Sequence, residues 1–247
     1  MGFTQCLTDT CIFARIEDCG TVLIEVYVDD LLITGTCVSL VDKFFDEMKV
    51  LELKDLGNAK KFLGMKIEED TEVGYTIDQE FTIDEMLEKH GLKDANCEVT
   101  DIRAGDKSTP LRIASYSDAD FAAGKDDRKS ISANVIYVNG IIAKWNCKKQ
   151  GAVALSTAEA EFVVAAVGRR EALGLKELFE EFGIQSKTPI ILKIDNQAAI
   201  KQLESKASEA NSKHVDVGLK FLKDYAKKGT VKPSHVASGD MVADLLA

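Results

Sequence analysis

Six cysteines occur in 247 residues, at Cys6, Cys11, Cys19, Cys37, Cys97 and Cys147. No two of them have the paired C-x-x-C spacing of a structural zinc site. Thiols scattered in this way are those of a reducing compartment. His90, His214 and His235 stand too far apart in sequence to suggest a histidine-rich metal centre. No apolar run reaches the roughly 18 residues that cross a bilayer. The first residues lack a charged region leading into an apolar stretch, so no secretory leader is expected. These absences predict an intracellular protein of cytoplasm or nucleus with no membrane partner. Internal repeats and low-complexity tracts are missing too. An apolar content of 45% with a mean hydropathy of −0.07 is that of a soluble globular protein, one large domain or two ordinary ones.

The net charge of −10 hides an asymmetry. Residues 1–110 carry 11 Lys and Arg against 24 Asp and Glu, a balance of −13. Residues 111–247 carry 20 against 17, a balance of +3, with Lys144, Lys148, Lys149, Arg169 and Arg170 fairly close in sequence. A polyanion is repelled by the first half, so the second half is where one would bind.

The first block begins with two apolar runs, Thr21–Val26 and Leu31–Thr34, around Tyr27-Val28-Asp29-Asp30. Such runs broken by a short polar pair predict a β-hairpin with acids at its tip. By spacing alone such a pair is more often a solvated acidic turn, since Asp favours turns, than a rigid carboxylate pair for metal-dependent phosphoryl transfer. Helical spacing follows over 39–50, an apolar strand over 61–67 with 75–77 beside it, and an amphipathic helix over 82–90 stopped by Gly91. Residues 94–112 show no periodicity and read as a linker.

The second block predicts strands over 113–117, 132–138 and 141–146, the last two joined by Asn139-Gly140, a strong hairpin signal. A long helix over 157–182, a buried strand over 190–194, helices near 197–203 and 214–227, a strand over 231–235 and a helical stub over 240–247 complete it. The pattern is a mixed α/β (α+β) sheet of five strands covered by helices.

Four acids fall where a sheet-based site places them. Asp118 lies on the first of these strands, with Asp120 on the same face. Asp195 ends the buried strand at its carboxyl edge. Glu161 lies in the first turns of the long helix and Asp244 in the terminal stub. Ser156-Thr157-Ala158-Glu159 fits a capping box, which gives Glu159 a structural job and leaves Glu161 free. Each acid alone reads as a surface residue. Converging, they suit two Mg²⁺ ions, or Mn²⁺ in substitution, for phosphodiester hydrolysis.

Seven words occur in order: Ser115-Tyr116-Ser117-Asp118-Ala119-Asp120-Phe121-Ala122; Asp127-Arg128-Lys129-Ser130; Trp145 with Lys148-Lys149-Gln150; residues 154–162; Asp195-Asn196-Gln197-Ala198-Ala199; Lys213-His214-Val215-Asp216; and Val242-Ala243-Asp244-Leu245. Together they resemble the ribonuclease H domain of copia-type LTR-retrotransposon polyproteins, over nearly all of 113–247. The resemblance implies that Asp118, Glu161, Asp195 and Asp244 form the metal-binding catalytic tetrad, acting on RNA–DNA hybrids. Lys148, Lys149, Arg128 and Asn196 are the expected nucleic-acid contacts. The word at 213–216 fits a packing or surface helix.

Residues 1–95 are similar to the palm and primer-grip strands of the same polyprotein's reverse transcriptase. The matching words are Gly2-Phe3-Thr4-Gln5-Cys6, Tyr27–Asp30, Asp55-Leu56-Gly57 and Phe62–Ile67. By that resemblance Asp29 and Asp30 are a vestigial polymerase metal site, since only 26 residues precede Tyr27 and none supplies the earlier palm aspartate. The long thumb and connection tract of the family is also missing before 113, so the polyprotein looks internally shortened. Ala133 replaces a usual Gly, and the chain stops three residues after Asp244, where a frayed end is expected. The expected organisation is a partial palm (1–95), a linker (96–112) and a ribonuclease H-like domain (113–247). Two functions follow from it: Mg²⁺-dependent endonucleolytic cleavage of hybrids without polymerisation, or a catalytically silent relic or hybrid-binding module.

Overall fold

A computed structural model of the chain describes residues 2–51, 53–70, 74–80, 88, 110–204 and 221–246. Nearly all of the helix expected over 82–90, most of the tract 94–112 and the word at 213–216 lie outside the described residues. The chain divides into two compact units, Met1–Thr100 and Asp101–Ala247.

In the first unit, β1 (Thr4–Gln5), β2 (Ile12–Glu17), β3 (Gly20–Tyr27) and β4 (Asp30–Gly35) form an antiparallel sheet in that order. Helix α1 (Val38–Met48) lays Leu40 and Phe44 on Val22 and Ile24 of β3. Those four side chains carry the small core, with Phe3, Phe13 and Phe45 packed around it. The β3–β4 turn is two residues long, because Tyr27 pairs with Asp30. Its first residue, Val28, is held at φ 56, a conformation that costs a β-branched residue about 1–2 kcal/mol.

A second antiparallel sheet holds β5 (Lys61–Phe62), β6 (Met65–Asp70) and β7 (Gly74–Asp78). The apolar run 61–67 is therefore two strands and not one. It reverses at Leu63-Gly64, both left-handed at φ 49 and 83, between the paired Phe62 and Met65. A leucine in that conformation gives no turn signal in sequence.

The second unit is built on β8 (Ile113–Asp120), β9 (Ile131–Val138), β10 (Ile141–Lys149), β11 (Ile190–Ile194) and β12 (Val231–His235). The strand order is β10-β9-β8-β11-β12, antiparallel from β10 to β8 and parallel from β8 to β12. This is the mixed five-stranded sheet with helices that the sequence pattern predicts. Asn139 (φ 52) and Gly140 (φ 87) make the tight β9–β10 turn that Asn-Gly announces.

Helix α2 (Thr157–Glu181) and helix α3 (Gln197–Glu204) follow β10 and β11, and residues 221–227 are helical before β12. One core joins Ile136, Phe162, Ala165, Ile190, Leu192, Ile194, Leu203 and Leu222. Burying each large aliphatic side chain stabilises the fold by about 1.5–3 kcal/mol. The alternate residues of β9, Ala133 and Val135, pack instead with Met241 and Ala243. The helical stub over 240–247 takes the form of 3-10 turns, Ser238–Asp240 and Val242–Leu246.

Helix α2 meets the sheet through a glycine. A Cβ at Gly168 would lie 2.5 Å from Asn134 Nδ2 and Ser115 Oγ and 2.6 Å from Ser117 Oγ. Those polar groups are themselves tied together: buried Asn134 donates to Ser115 Oγ (2.7 Å) and Ser117 Oγ (2.9 Å). A methyl group here must lift the helix or break these bonds. Gly168→Ala is expected to destabilise the second unit by about 2–4 kcal/mol, despite alanine's higher helix propensity. Chemical denaturation with intrinsic fluorescence measures this, and an unchanged midpoint would show that the close contact is absent in solution.

Candidate active site

Parallel register brings the first two carboxylates level. Ile194 pairs with Ser117 across β11 and β8, so the next residues, Asp195 and Asp118, stand side by side at the carboxyl edge of the parallel pair. Asp118 is buried and Asp195 half-buried. Ser238 in the first 3-10 turn donates to Asp195 Oδ2 at 3.1 Å.

Glu161 arrives from α2. Ser156 caps the helix, its Oγ accepting the Glu159 N–H at 3.1 Å, while Glu159 Oε2 accepts the Leu155 N–H at 2.7 Å. A cap of this kind is worth about 1 kcal/mol. Glu159 is thus turned back to the helix start, and Glu161, half a turn further on, faces the sheet edge. Its Oε1 accepts the Ala119 N–H at 3.2 Å, and its Oε2 is buried with no hydrogen-bond partner. Gln150 fixes this helix end, donating to Ser132 Oγ at 2.9 Å and to the Ala160 carbonyl at 3.1 Å.

One carboxylate oxygen from each of Asp118, Glu161 and Asp195 lies within 4.8 Å of the others. Packing buried acids this closely disfavours their charged forms. Burial, then the charges of Asp118 and Asp195, push the Glu161 carboxyl up to about 8. Burial, followed by Asp195 and Asp244, pushes Asp118 up to about 6. An orphaned buried oxygen among three converging carboxylates fits a hard divalent cation, which supplies the missing positive charge and takes oxygen ligands.

The cleft around them has a volume of about 540 Å³ and is lined by Asp118–Phe121, Thr157, Glu161, Asp195, Asn196 and Asp244. Asp244 is exposed on its 3-10 turn, its N–H bonded to the Met241 carbonyl at 3.0 Å, and it lies outside the tight group of three. Asn196 lines the cleft and also caps α3, its Oδ1 accepting the Ala199 N–H at 3.0 Å. Lys148, Lys149 and Arg128 are exposed but do not line the cleft, and Lys149 pairs with Asp127 at 3.2 Å. Ala133, opposite Asp118 in register, puts its methyl into the small core beneath the 3-10 turns.

In the first unit Asp29 and Asp30 are exposed, and neither joins a cluster of three potential ligands among the described residues. That unit has its own hollow, about 640 Å³, lined by Gly2, Arg15, Ile16, Glu17, Lys43 and Glu47. Its charges satisfy one another through Arg15–Glu47 (2.6 Å), Arg15–Glu17 (3.1 Å) and Lys43–Glu17 (3.0 Å), so it holds the sheet to α1. Gln150, Thr157 and Ser238 join or brace the acidic site without any periodic or spacing signal in sequence. Among the described residues, no helix is long and apolar enough to cross a membrane.

Sheet order and converging carboxylates define a mixed α/β unit with a candidate divalent-metal centre. Residues 1–104 match the family "Reverse transcriptase (RNA-dependent DNA polymerase)". The chain is similar to retrovirus-related Pol polyproteins from transposons. It is 24% identical to the retrovirus-related Pol polyprotein from transposon TNT 1-94 of Nicotiana tabacum, over 99% of its own length and 24% of that polyprotein's. The aligned stretch runs to 327 positions, more than the 247 residues present here, so the tobacco protein has internal segments without counterpart. Identity to the Pol polyprotein from transposon RE1 of Arabidopsis thaliana is 30% over 57% of this chain and 10% of that one. The chain thus spans a quarter or less of these relatives' lengths.

Among solved structures, an N-terminal ribonuclease H domain from Mycobacterium tuberculosis aligns at 15% identity and a TM-score of 0.41, over 56% of this chain and 91% of that chain. A foamy viral protease–reverse transcriptase in complex with RNA/DNA hybrid aligns at 13% identity and a TM-score of 0.39, over 92% and 36%.

Proposed function

We propose that residues 113–247 form a divalent-metal-dependent endonuclease that hydrolyses the RNA strand of RNA–DNA hybrids. Residues 1–95 are, in this reading, a partial palm and 96–112 a linker. The observation that carries it is the meeting of Asp118, Glu161 and Asp195 within 4.8 Å at one edge of the mixed sheet. Asp118, Glu161 and Asp195 would hold Mg²⁺, as two ions with Asp244 assisting, or Mn²⁺ in its place. When bound, such ions polarise a phosphoryl oxygen and lower the pKa of an attacking water.

The chain's own groups do the rest. Ser238 and the Ala119 N–H fix two of the carboxylates so that their oxygens converge without rearrangement. Loss of protons from Glu161 and Asp118 frees both for a cation, so activity should rise with pH through about 6 to 8. Lys148, Lys149 and Arg128 offer backbone-neutralising charge away from the cleft, and Asn196 a polar contact within it. Polymerisation is not expected of Asp29 and Asp30, which join no group of three potential ligands among the described residues.

One observation favours a second reading, a hybrid-binding module without turnover: Asp244 lies exposed, outside the group of three. Incubating a labelled hybrid with the protein and Mg²⁺ separates them. Cleavage lost in Asp195→Asn supports the enzyme, whereas salt-sensitive binding without cleavage supports the module.

A further inference from the structure

A polar side chain is buried where an exposed strand ends. Every residue of β10 is exposed or half-buried, yet Gln150, the next in sequence, is only 7% exposed. Burying a carboxamide costs free energy unless its hydrogen bonds are made. Here both amide hydrogens are used, on two different elements. One goes to Ser132 Oγ on β9 at 2.9 Å, the other to the Ala160 carbonyl in the first turn of α2 at 3.1 Å. That carbonyl can only accept, so the amide nitrogen must be the group that faces it. A helical carbonyl is ordinarily taken by the N–H four residues further on, so α2 does not need this bond in order to form. The Gln150 N–H is itself bonded to the Ser130 carbonyl at 2.8 Å, which holds the backbone from which the side chain reaches.

These contacts close a ring around Glu161. Ser132 stands opposite Ala119 in register, and the Ala119 N–H is the donor to Glu161 Oε1 at 3.2 Å. Ala160, at the other end of the Gln150 amide, is the residue before Glu161. The three carboxylates meet within 4.8 Å, and whenever they are ionised they repel one another, which drives Glu161 away from the other two. The Ser156 cap is exposed and the Gly168 notch lies seven residues further along α2, so Gln150 is the buried side chain that grips the helix beside the carboxylate. We propose that Gln150 is a positioning residue, which sets the divalent-cation affinity of the Asp118, Glu161 and Asp195 group by holding Glu161 in place. This rests on the metal-dependent reading above and adds a residue outside the cleft on which the cation's hold depends.

The test is titration of the full chain with Mn²⁺, followed by the electron paramagnetic resonance signal of the free ion. Gln150→Leu and Gln150→Met approximate the side chain's size and lack its donors, and each should weaken Mn²⁺ binding roughly tenfold. Ser132→Ala releases one arm of the same amide and should weaken it about threefold. Ile190→Val trims the core at the opposite end of β11 from Asp195, and should lower Tm without moving Mn²⁺ affinity. A merely structural role would make the Gln150 variants behave like Ile190→Val. Unchanged affinity in the Gln150 variants and in Ser132→Ala, or an equal loss in Ile190→Val, overturns the proposal. If neither Gln150 variant folds, Ser132→Ala against Ile190→Val decides it. If the expected Mn²⁺ pattern is found while wild type fails to cleave a hybrid in Mg²⁺, the hydrolytic reading alone is overturned. Wild type that binds no Mn²⁺ overturns both.

Discussion

Asp195→Asn is expected to lower hybrid cleavage by about 10²- to 10⁴-fold while leaving the protein folded. Asparagine keeps the size of the side chain and an oxygen for the Ser238 hydroxyl, now 3.1 Å away. It removes a carboxylate from a group that, in the proposed reading, binds a cation. Metal stabilisation of a phosphoryl-transfer transition state is worth several kcal/mol, and each 1.36 kcal/mol is a factor of ten in rate. Asp195 is half-buried, so the substitution leaves no cavity. Quenched-flow or gel assays at saturating Mg²⁺, with circular dichroism as the folding control, read the effect. Undiminished cleavage by the variant would place the chemistry elsewhere.

The second large effect concerns stability. Glu161 and Asp118 hold their protons more tightly in the folded protein than in an unfolded chain, at about 8 against 4.5 and about 6 against 3.8. Between these limits the folded state binds more protons than the unfolded one, so stability falls as pH rises. The contribution is fully present below about pH 4 and is lost progressively up to about pH 8. Glu161→Gln removes most of it, because the amide is neutral throughout and can still accept from the Ala119 N–H.

At pH 8 without metal the variant should therefore be more stable than wild type by about 2–4 kcal/mol, since each tenfold change in proton affinity is worth about 1.4 kcal/mol. That corresponds to a rise in Tm of roughly 5–12 °C for the second unit. At pH 4 the two should melt together. Added Mg²⁺ should raise the Tm of wild type at pH 8 and leave the variant nearly unmoved. A variant less stable than wild type at pH 8 would mean that the three carboxylates do not crowd one another in solution. The same substitution should abolish cleavage, so stability and activity are expected to move in opposite directions here.

Much of this site can be read in the chain itself. Ile190, Leu192 and Ile194 point inward on a strand whose ends are clear from sequence, and Asp195 follows where that strand stops. Ser156 separates Glu159 from Glu161 on local grounds alone, because a cap claims the third residue after it. Other features depend on groups distant in sequence. The Glu161 carboxylate is held by an N–H 42 residues away, which no local pattern encodes. Leu63 hides a reversal inside an apolar run, since nothing in a leucine announces a left-handed backbone. The helical stub at the end is 3-10 in form, and its packing of Met241 and Ala243 against β9 joins residues far apart in sequence.

Gly168 and Glu161 lie seven residues apart on α2, nearly two full helical turns, so they share one side of the rod within about 20°. The glycine drops into a notch of hydroxyls and amide that admits no side chain, and it thereby sets both the roll and the slide of the whole helix. A single residue inserted between them would swing the carboxylate about 100° around the axis and lift it about 1.5 Å along it. The spacing therefore acts as a gauge length. A change of one in that count is expected to disperse the three-carboxylate group even if every acidic residue is retained.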